Sequence, residues 1–170
     1  YPERMPAMPH TQPAPDAGTA YPFMPIPFLE LLGIKRESVA DGKARLSLEL
    51  QPQLRNLYDG FHGGVLMTLL DVAMASAAVS RNDFRNTVVT VDLSVNFMAP
   101  ASGVVVAEAE ASGGGKSLCF CEGRVLDAEG TLVARAQGTF KYLRVATADS
   151  RDAGASAAGG AAAGGAAQAA

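Results

Sequence analysis

The sequence is poor in cysteine: Cys119 and Cys121 are the only two in 170 residues, and they stand two apart. In an alternating segment that spacing turns both thiols to one face of a strand, where such close neighbours do not bridge easily. A disulfide framework is therefore excluded, and a reducing cytoplasm fits. Positive charge is also short, with 14 Lys and Arg against 17 Asp and Glu for a formal net charge of -3. Neutralising the phosphates of a nucleic acid needs a basic patch that this composition does not supply, so no nucleic-acid partner is expected. No apolar run is read as reaching membrane-spanning length. The opening residues are polar and proline-rich rather than basic and then apolar, so neither a membrane nor an export signal is expected. His10 and His62 are the only histidines, too few for a histidine-ligated metal site, and no Gly-x-Ser-x-Gly segment offers a serine elbow.

What is present divides the chain into three parts. Residues 1–21 are dense in proline and residues 146–170 are almost wholly Ala, Gly and Ser. Neither stretch buries enough apolar surface to order itself, and both are expected to be disordered flanks. A single domain over 22–145 remains, and 48% hydrophobic residues are enough for its core. Pro27 to Leu32 reads as a short helix and Lys43 to Leu50 as a strand. From Val65 to Ser80 apolar residues recur at three- and four-residue spacings, which predicts a long helix. After Asn86 the period becomes two: Val89, Val91, Leu93, Val95 and Phe97 are expected on one face of a strand, and Val88, Thr90, Asp92, Ser94 and Asn96 on the other. Strands over 104–111, 118–126 and 132–143 follow, separated by glycine-rich turns. The expected class is α+β: a long central helix wrapped by a curved sheet of consecutive antiparallel strands.

The chemistry concentrates around that helix. Asp71 is its only charge, and an unpaired carboxylate in an apolar helix costs several kcal/mol, roughly, so it has either a partner or a task. Thr68, one turn earlier, is one candidate partner; a second chain is another. Gly63-Gly64 at the helix mouth either makes a tight turn or opens the first amides, which lack intrahelical acceptors, to a ligand oxygen. The two features are separated by about 12 Å at ~1.5 Å per residue, too far to serve one carbonyl. If they cooperate, two chains contribute. His62 reads as a general base or as a hydrogen-bonding prop for the loop, with the prop favoured. Asn56 braces that loop or aims its amide at substrate or water. Thr90 is a strand residue of high propensity or a hydroxyl facing the cleft. Gly113-Gly114-Gly115-Lys116-Ser117 is not a phosphate loop, since Glu110 stands where glycine is required and a strand follows in place of a helix. It remains a glycine-rich hairpin with one lysine, suited to phosphates or to a narrow tether.

In order and spacing, Asn56, His62-Gly63-Gly64, Asp71, and the strand from Val89-Thr90-Val91-Asp92 through Asn96-Phe97-Met98-Ala99-Pro100 resemble the hotdog-fold acyl-CoA thioesterases of the phenylacetate-degradation type. The resemblance covers nearly all of 27–143. It implies a homodimer that forms the active site and pairs again into a homotetramer, with acyl-CoA as substrate, coenzyme A as part of that substrate, and no metal or other cofactor. It further implies that Asp71 activates water or attacks the acyl carbon, that the Gly63 amide polarises the carbonyl, and that Asn56 places water or thioester. His62 would brace the loop. Thr90 would orient the nucleophile at a position where relatives often carry Ser. Gly113, Gly114, Gly115, Lys116, Ser117 and Leu118, with Phe97 and Lys141, would hold coenzyme A. Aryl-acetyl or medium-chain acyl groups are expected, in a pocket drawn from Met67, Leu70 and Met74. Two rivals stand beside hydrolysis: a non-catalytic acyl-CoA sensor and, ranked lower, an enoyl-CoA hydratase.

Overall fold

Glycine and proline punctuate the first elements of the computed structural model, which describes residues 26–144; the expected flanks over 1–21 and 146–170 lie outside the described residues. Pro27 opens helix α1 (Pro27–Leu32), which buries Leu29 and Leu32 and ends at Gly33. Strands β1 (Lys35–Ala40) and β2 (Lys43–Glu49) form a hairpin through Asp41-Gly42, both at positive φ (50 and 76). That is the geometry a two-residue turn needs to match strand twist. Hydrophobic periodicity does not reveal β1, whose Lys-Arg-Glu-Ser-Val-Ala is an outer strand without an apolar alternation. The Asp-Gly pair was the available signal.

Helix α2 (Gly63–Arg81) is followed by β3 (Asn86–Phe97), β4 (Val104–Gly114), β5 (Leu118–Leu126) and β6 (Leu132–Arg144). The six strands form one sheet in the order β1-β2-β4-β5-β6-β3. Neighbours are antiparallel throughout, but they are not all consecutive: β3 passes beyond β6 to the far edge. The long helix between β2 and β3 carries the chain across the sheet, leaving β2 to pair with β4. Leu66, Leu69, Leu70, Ala73, Met74 and Ala77 of α2 are buried against Leu46, Val105, Cys119, Val125 and Phe140 of the sheet. Small residues let the layers close: a Cβ at Gly123 would lie 3.2 Å from both Leu70 and Met74.

Two expectations need correction here. At 19 residues α2 is apolar and long enough to cross a membrane on length and composition, contrary to the reading that no run reaches that length; its apolarity matches its place against the sheet. The alternation expected along β3 also fails, because its pairing with β6 slips between Thr90 and Asp92. Val91 is the extra residue of a β-bulge, which reverses the inward and outward phase of the strand. Val88, Leu93 and Val95 pack toward the core while Val89 and Val91 are exposed.

Candidate active site

The loop before α2 is built on Asn56. Its Oδ1 accepts from the N–H groups of Tyr58 (2.8 Å) and Gly60 (3.2 Å), and its Nδ2 donates to the Phe61 carbonyl at 3.0 Å. Three bonds spend most of the amide on the loop. His62 caps the helix: its Nδ1 accepts from Gly64 N–H at 3.0 Å, while its carbonyl accepts from Val65 and Leu66. That places the ring proton of a neutral imidazole on Nε2. Gly64 is thereby satisfied, and Gly63 N–H is left with no acceptor among the described residues. A Cβ at Gly63 would sit 3.4 Å from the Phe97 ring, so β3 walls the helix mouth on one side.

Further along α2, the Thr90 hydroxyl donates to Asp71 Oδ1 at 2.7 Å. The bulge explains how β3 does this while Leu93 and Val95 also face the core: Thr90 pairs with the buried Phe140, so both sides of the bulge present the same face. Thr68 is not the partner of Asp71, since its hydroxyl donates to Gly64 O at 2.9 Å. Asp71 is half-buried rather than buried. Gly63, Met67 and Asp71 recur every four residues on one stripe of α2, and Met67 is 43% exposed. The stripe offers an unsatisfied amide at one end and a carboxylate with one anchored oxygen at the other. These groups suit polarisation of a carbonyl and activation of a nucleophile, and Oδ2 has no hydrogen-bond partner among the described residues.

The residues expected to hold coenzyme A separate into three places. Phe97 lies at the helix mouth. Gly115, Lys116 and Ser117 line a cavity of about 610 Å³ at the other end of α2, together with Arg81, Asn82, Asn86 and Tyr142. Lys141 lies across from Leu118 and Val89, on the sheet face opposite the buried Phe140. Gly113, Gly114 and Gly115 close the β4–β5 hairpin, with Gly115 N–H donating to Leu118 O at 2.8 Å. Of the expected acyl-pocket residues, Leu70 and Met74 are fully buried beneath the sheet, leaving Met67 on the open stripe. Arg81 and Asn86 were missed because Lys116 is 30 or more residues away in sequence, and no local motif ties them together.

The comparisons with known proteins bear on the family and the fold. A model of the thioesterase superfamily matches residues 60–134, from the loop before α2 into β6. A Halobacterium salinarum protein carrying a provisional esterase name is 32% identical over 127 residues, spanning 68% of this chain and 84% of its own. Among solved structures, a conserved protein of Pseudomonas aeruginosa is 33% identical with a TM-score of 0.68, covering 71% of this chain and 96% of its own. A variant of the phenylacetic acid degradation protein PaaI of Thermus thermophilus is 29% identical with a TM-score of 0.63, over 69% of this chain and 100% of its own. With a central helix, a six-stranded antiparallel sheet and these relatives, the chain belongs to the thioesterase superfamily, as a PaaI-like hotdog-fold thioester hydrolase.

Proposed function

We propose that the protein hydrolyses acyl-CoA thioesters to a free acid and coenzyme A, at a site shared between two copies of the chain. The observation that carries this is the pairing of Asp71 with Thr90 at 2.7 Å, on a helix whose free Gly63 amide is eight residues away. At ~1.5 Å per residue the two are about 12 Å apart, so one thioester meets both only if the amide comes from a partner subunit.

The edge of β3 supplies the means. It is 12 residues long and ends the sheet, and Val91 is 59% exposed. An unpaired edge of this kind favours addition of another strand. Within one copy Thr90 hydrogen-bonds Asp71, and the Phe97 ring lies over the open side of Gly63. For Gly63 of the partner subunit to reach Asp71, Phe97 of the partner subunit must lie across from Thr90. In an antiparallel pair of β3 edges this puts the twofold axis near Leu93 and Ser94. The tetramer is assigned to the outer sheet face, where Leu118, Phe120 and Leu143 are exposed.

At such a site the Gly63 amide holds the carbonyl oxygen as negative charge develops on it. Asp71, oriented by Thr90, either takes the proton of an attacking water or attacks the acyl carbon itself, in which case water then hydrolyses the mixed anhydride so formed to release the acid and restore the carboxylate. The C–S bond breaks, and the thiolate of coenzyme A takes up a proton. Asn56 and His62 act as positioning residues that keep the Gly63 amide aimed. The hydratase reading pairs an acid and a histidine in one short loop, whereas His62 caps the mouth of α2 and Asp71 lies two turns inside it. Met67 on the open stripe suits aryl-acetyl or medium-chain acyl groups. Lys116, Ser117 and the backbone of Gly113, Gly114, Gly115 and Leu118 are assigned to coenzyme A, with Phe97 and Lys141.

The test is free-thiol release from a panel of acyl-CoAs by the parent protein and by Asp71→Asn. Hydrolysis by the parent and a loss of at least about 100-fold in the variant are expected. Binding of coenzyme A thioesters without cleavage of any would replace this reading with the sensor, and full turnover by Asp71→Asn would remove Asp71 from the chemistry.

A further inference from the structure

Two charges of opposite sign on the outer sheet face stand without partners. Arg135 of β6 lies directly across from Arg124 of β5, a position in which like charges repel. Arg124 is satisfied, since its Nε and Nη2 reach Glu108 Oε2 at 2.9 and 2.8 Å. Arg135 is not: among the described residues it forms no ion pair, although Glu122 is its diagonal neighbour on β5. Asp92 of β3 is exposed, shares the outer face with Thr139 and also forms no ion pair among the described residues. One copy holds the two apart. Asp92 pairs with Thr139 and Asn96 pairs with Arg135, so four steps of β6 separate them, about 13 Å at ~3.3 Å each.

A second copy closes that gap. Residues directly across from one another in an antiparallel pair share a face. With Thr90 across from Phe97 of the partner subunit and Val91 as the extra residue, Leu93 meets the partner's Val95, Ser94 lies on the twofold axis, and Asp92 meets the partner's Asn96. Every one of these positions is within β3. The alignment keeps the half-buried Leu93 and Val95 on the inner face and the exposed Asp92, Ser94 and Asn96 on the outer one. Next to the partner's Asn96 in the same row is the partner's Arg135. Two strand spacings, about 9.6 Å, lie between it and Asp92. An arginine extended over the short asparagine side chain reaches an aspartate across that span, and the twofold repeats the contact on the other side of Ser94.

On the shared-site reading, we propose that Asp92 and the partner's Arg135 form two symmetry-related ion pairs that set the register of the two β3 edges, and with it the meeting of Gly63 and Asp71. Sliding one edge by two residues still leaves Leu93 and Val95 on the inner face, so apolar burial alone does not select the productive alignment. The slide displaces Arg135 from Asp92 by about 6.8 Å, and displaces Gly63 from the partner's Asp71 by the same step. Exposed ion pairs add little affinity. Their weight lies in rejecting the other alignments, where Arg135 remains against Arg124 with no anion. Asp92 and Arg135 are therefore positioning residues that touch neither substrate nor the reacting atoms.

The experiment is a charge swap, read by sedimentation over a dilution series and by thiol release from one acyl-CoA. Asp92→Arg and Arg135→Asp each place like charges together at both contacts. Either is expected to raise the dimer dissociation constant at least about tenfold, and turnover falls as the dimer is diluted away. Far-UV circular dichroism should match the parent, because both positions are exposed. Mixing the two variants gives a heterodimer with complementary charges at both contacts, and carrying both changes in one chain does the same for a homodimer. Each arrangement is expected to recover association and turnover to within about threefold of the parent. Single variants that associate like the parent, or weakened variants that neither mixing nor the double swap rescues, overturn the inference and leave the hydrolase reading intact. A parent that is fully active as a monomer overturns the shared site itself.

Discussion

Replacing Thr90 by Val removes one hydroxyl from the site and little else. The side chains have nearly the same shape, both are β-branched, and the strand should accept Val without loss. What disappears is a 2.7 Å hydrogen bond to Asp71 Oδ1. Hydrogen bonds to charged groups contribute about 1.5–3 kcal/mol, and one between an exposed hydroxyl and a half-buried carboxylate belongs at the lower end. About 1.5 kcal/mol lost from the transition state alone is a fall of roughly 10- to 15-fold in kcat. Because the bond orients the carboxylate and is not assigned a contact with the substrate, KM should move by less than about twofold. Thr90→Ser keeps the donor and should retain at least about half the parent rate. The assay is continuous thiol release under saturating and subsaturating acyl-CoA, with urea unfolding to show that stability changes by less than about 1 kcal/mol. A Val variant with the parent kcat, or one whose entire loss is in KM and is not rescued by Ser, would refute the claim that Thr90 sets the geometry of Asp71.

Three other outcomes are expected. Lysine at both Val89 and Val91 charges the outer edge of β3 and should yield a monomer by sedimentation, with unchanged far-UV circular dichroism and a loss of activity of at least about 100-fold; an active monomer contradicts the shared site. Gly114→Ala should cost at least about 2 kcal/mol in urea unfolding, because Gly114 has φ 117 and an added Cβ would overlap the Leu118 carbonyl and lie 2.8 Å from Cys119 Cα. Burial pushes the Cys121 thiol above its ordinary value of 9.0. Below that pH the thiol is neutral whether the chain is folded or not. Above it the unfolded chain ionises while the folded chain keeps its proton, so stability falls as pH rises. Cys121→Ala should flatten this alkaline slope by up to about 1.4 kcal/mol per pH unit, measured by urea unfolding between about pH 9 and pH 11; an unchanged slope refutes the assignment.

The sequence by itself determined the long helix and most of the strands, and it listed the side chains from which a site could be built. The apolar spacing of 65–80 fixed the long helix, alternation fixed β4, β5 and β6 to within a few residues, and the His62-Gly63-Gly64 and Asp71 pattern pointed to the family that the relatives support. These features are local: each depends on periods of two or 3.6 residues, on turn chemistry, or on groups within one helix. Tertiary structure decided the rest. The β-bulge at Val91 put Thr90 and Leu93 on the same face, and no residue in that run signals the slip. The crossing of β3 to the far edge, where it pairs with β6 alone, left its outer edge without a strand partner among the described residues. Arg81, Asn86 and Lys116 came to one cavity from three separate elements. Each of these depends on pairing between segments far apart in the chain, where the energy lies in register and packing against partners that a linear pattern does not contain.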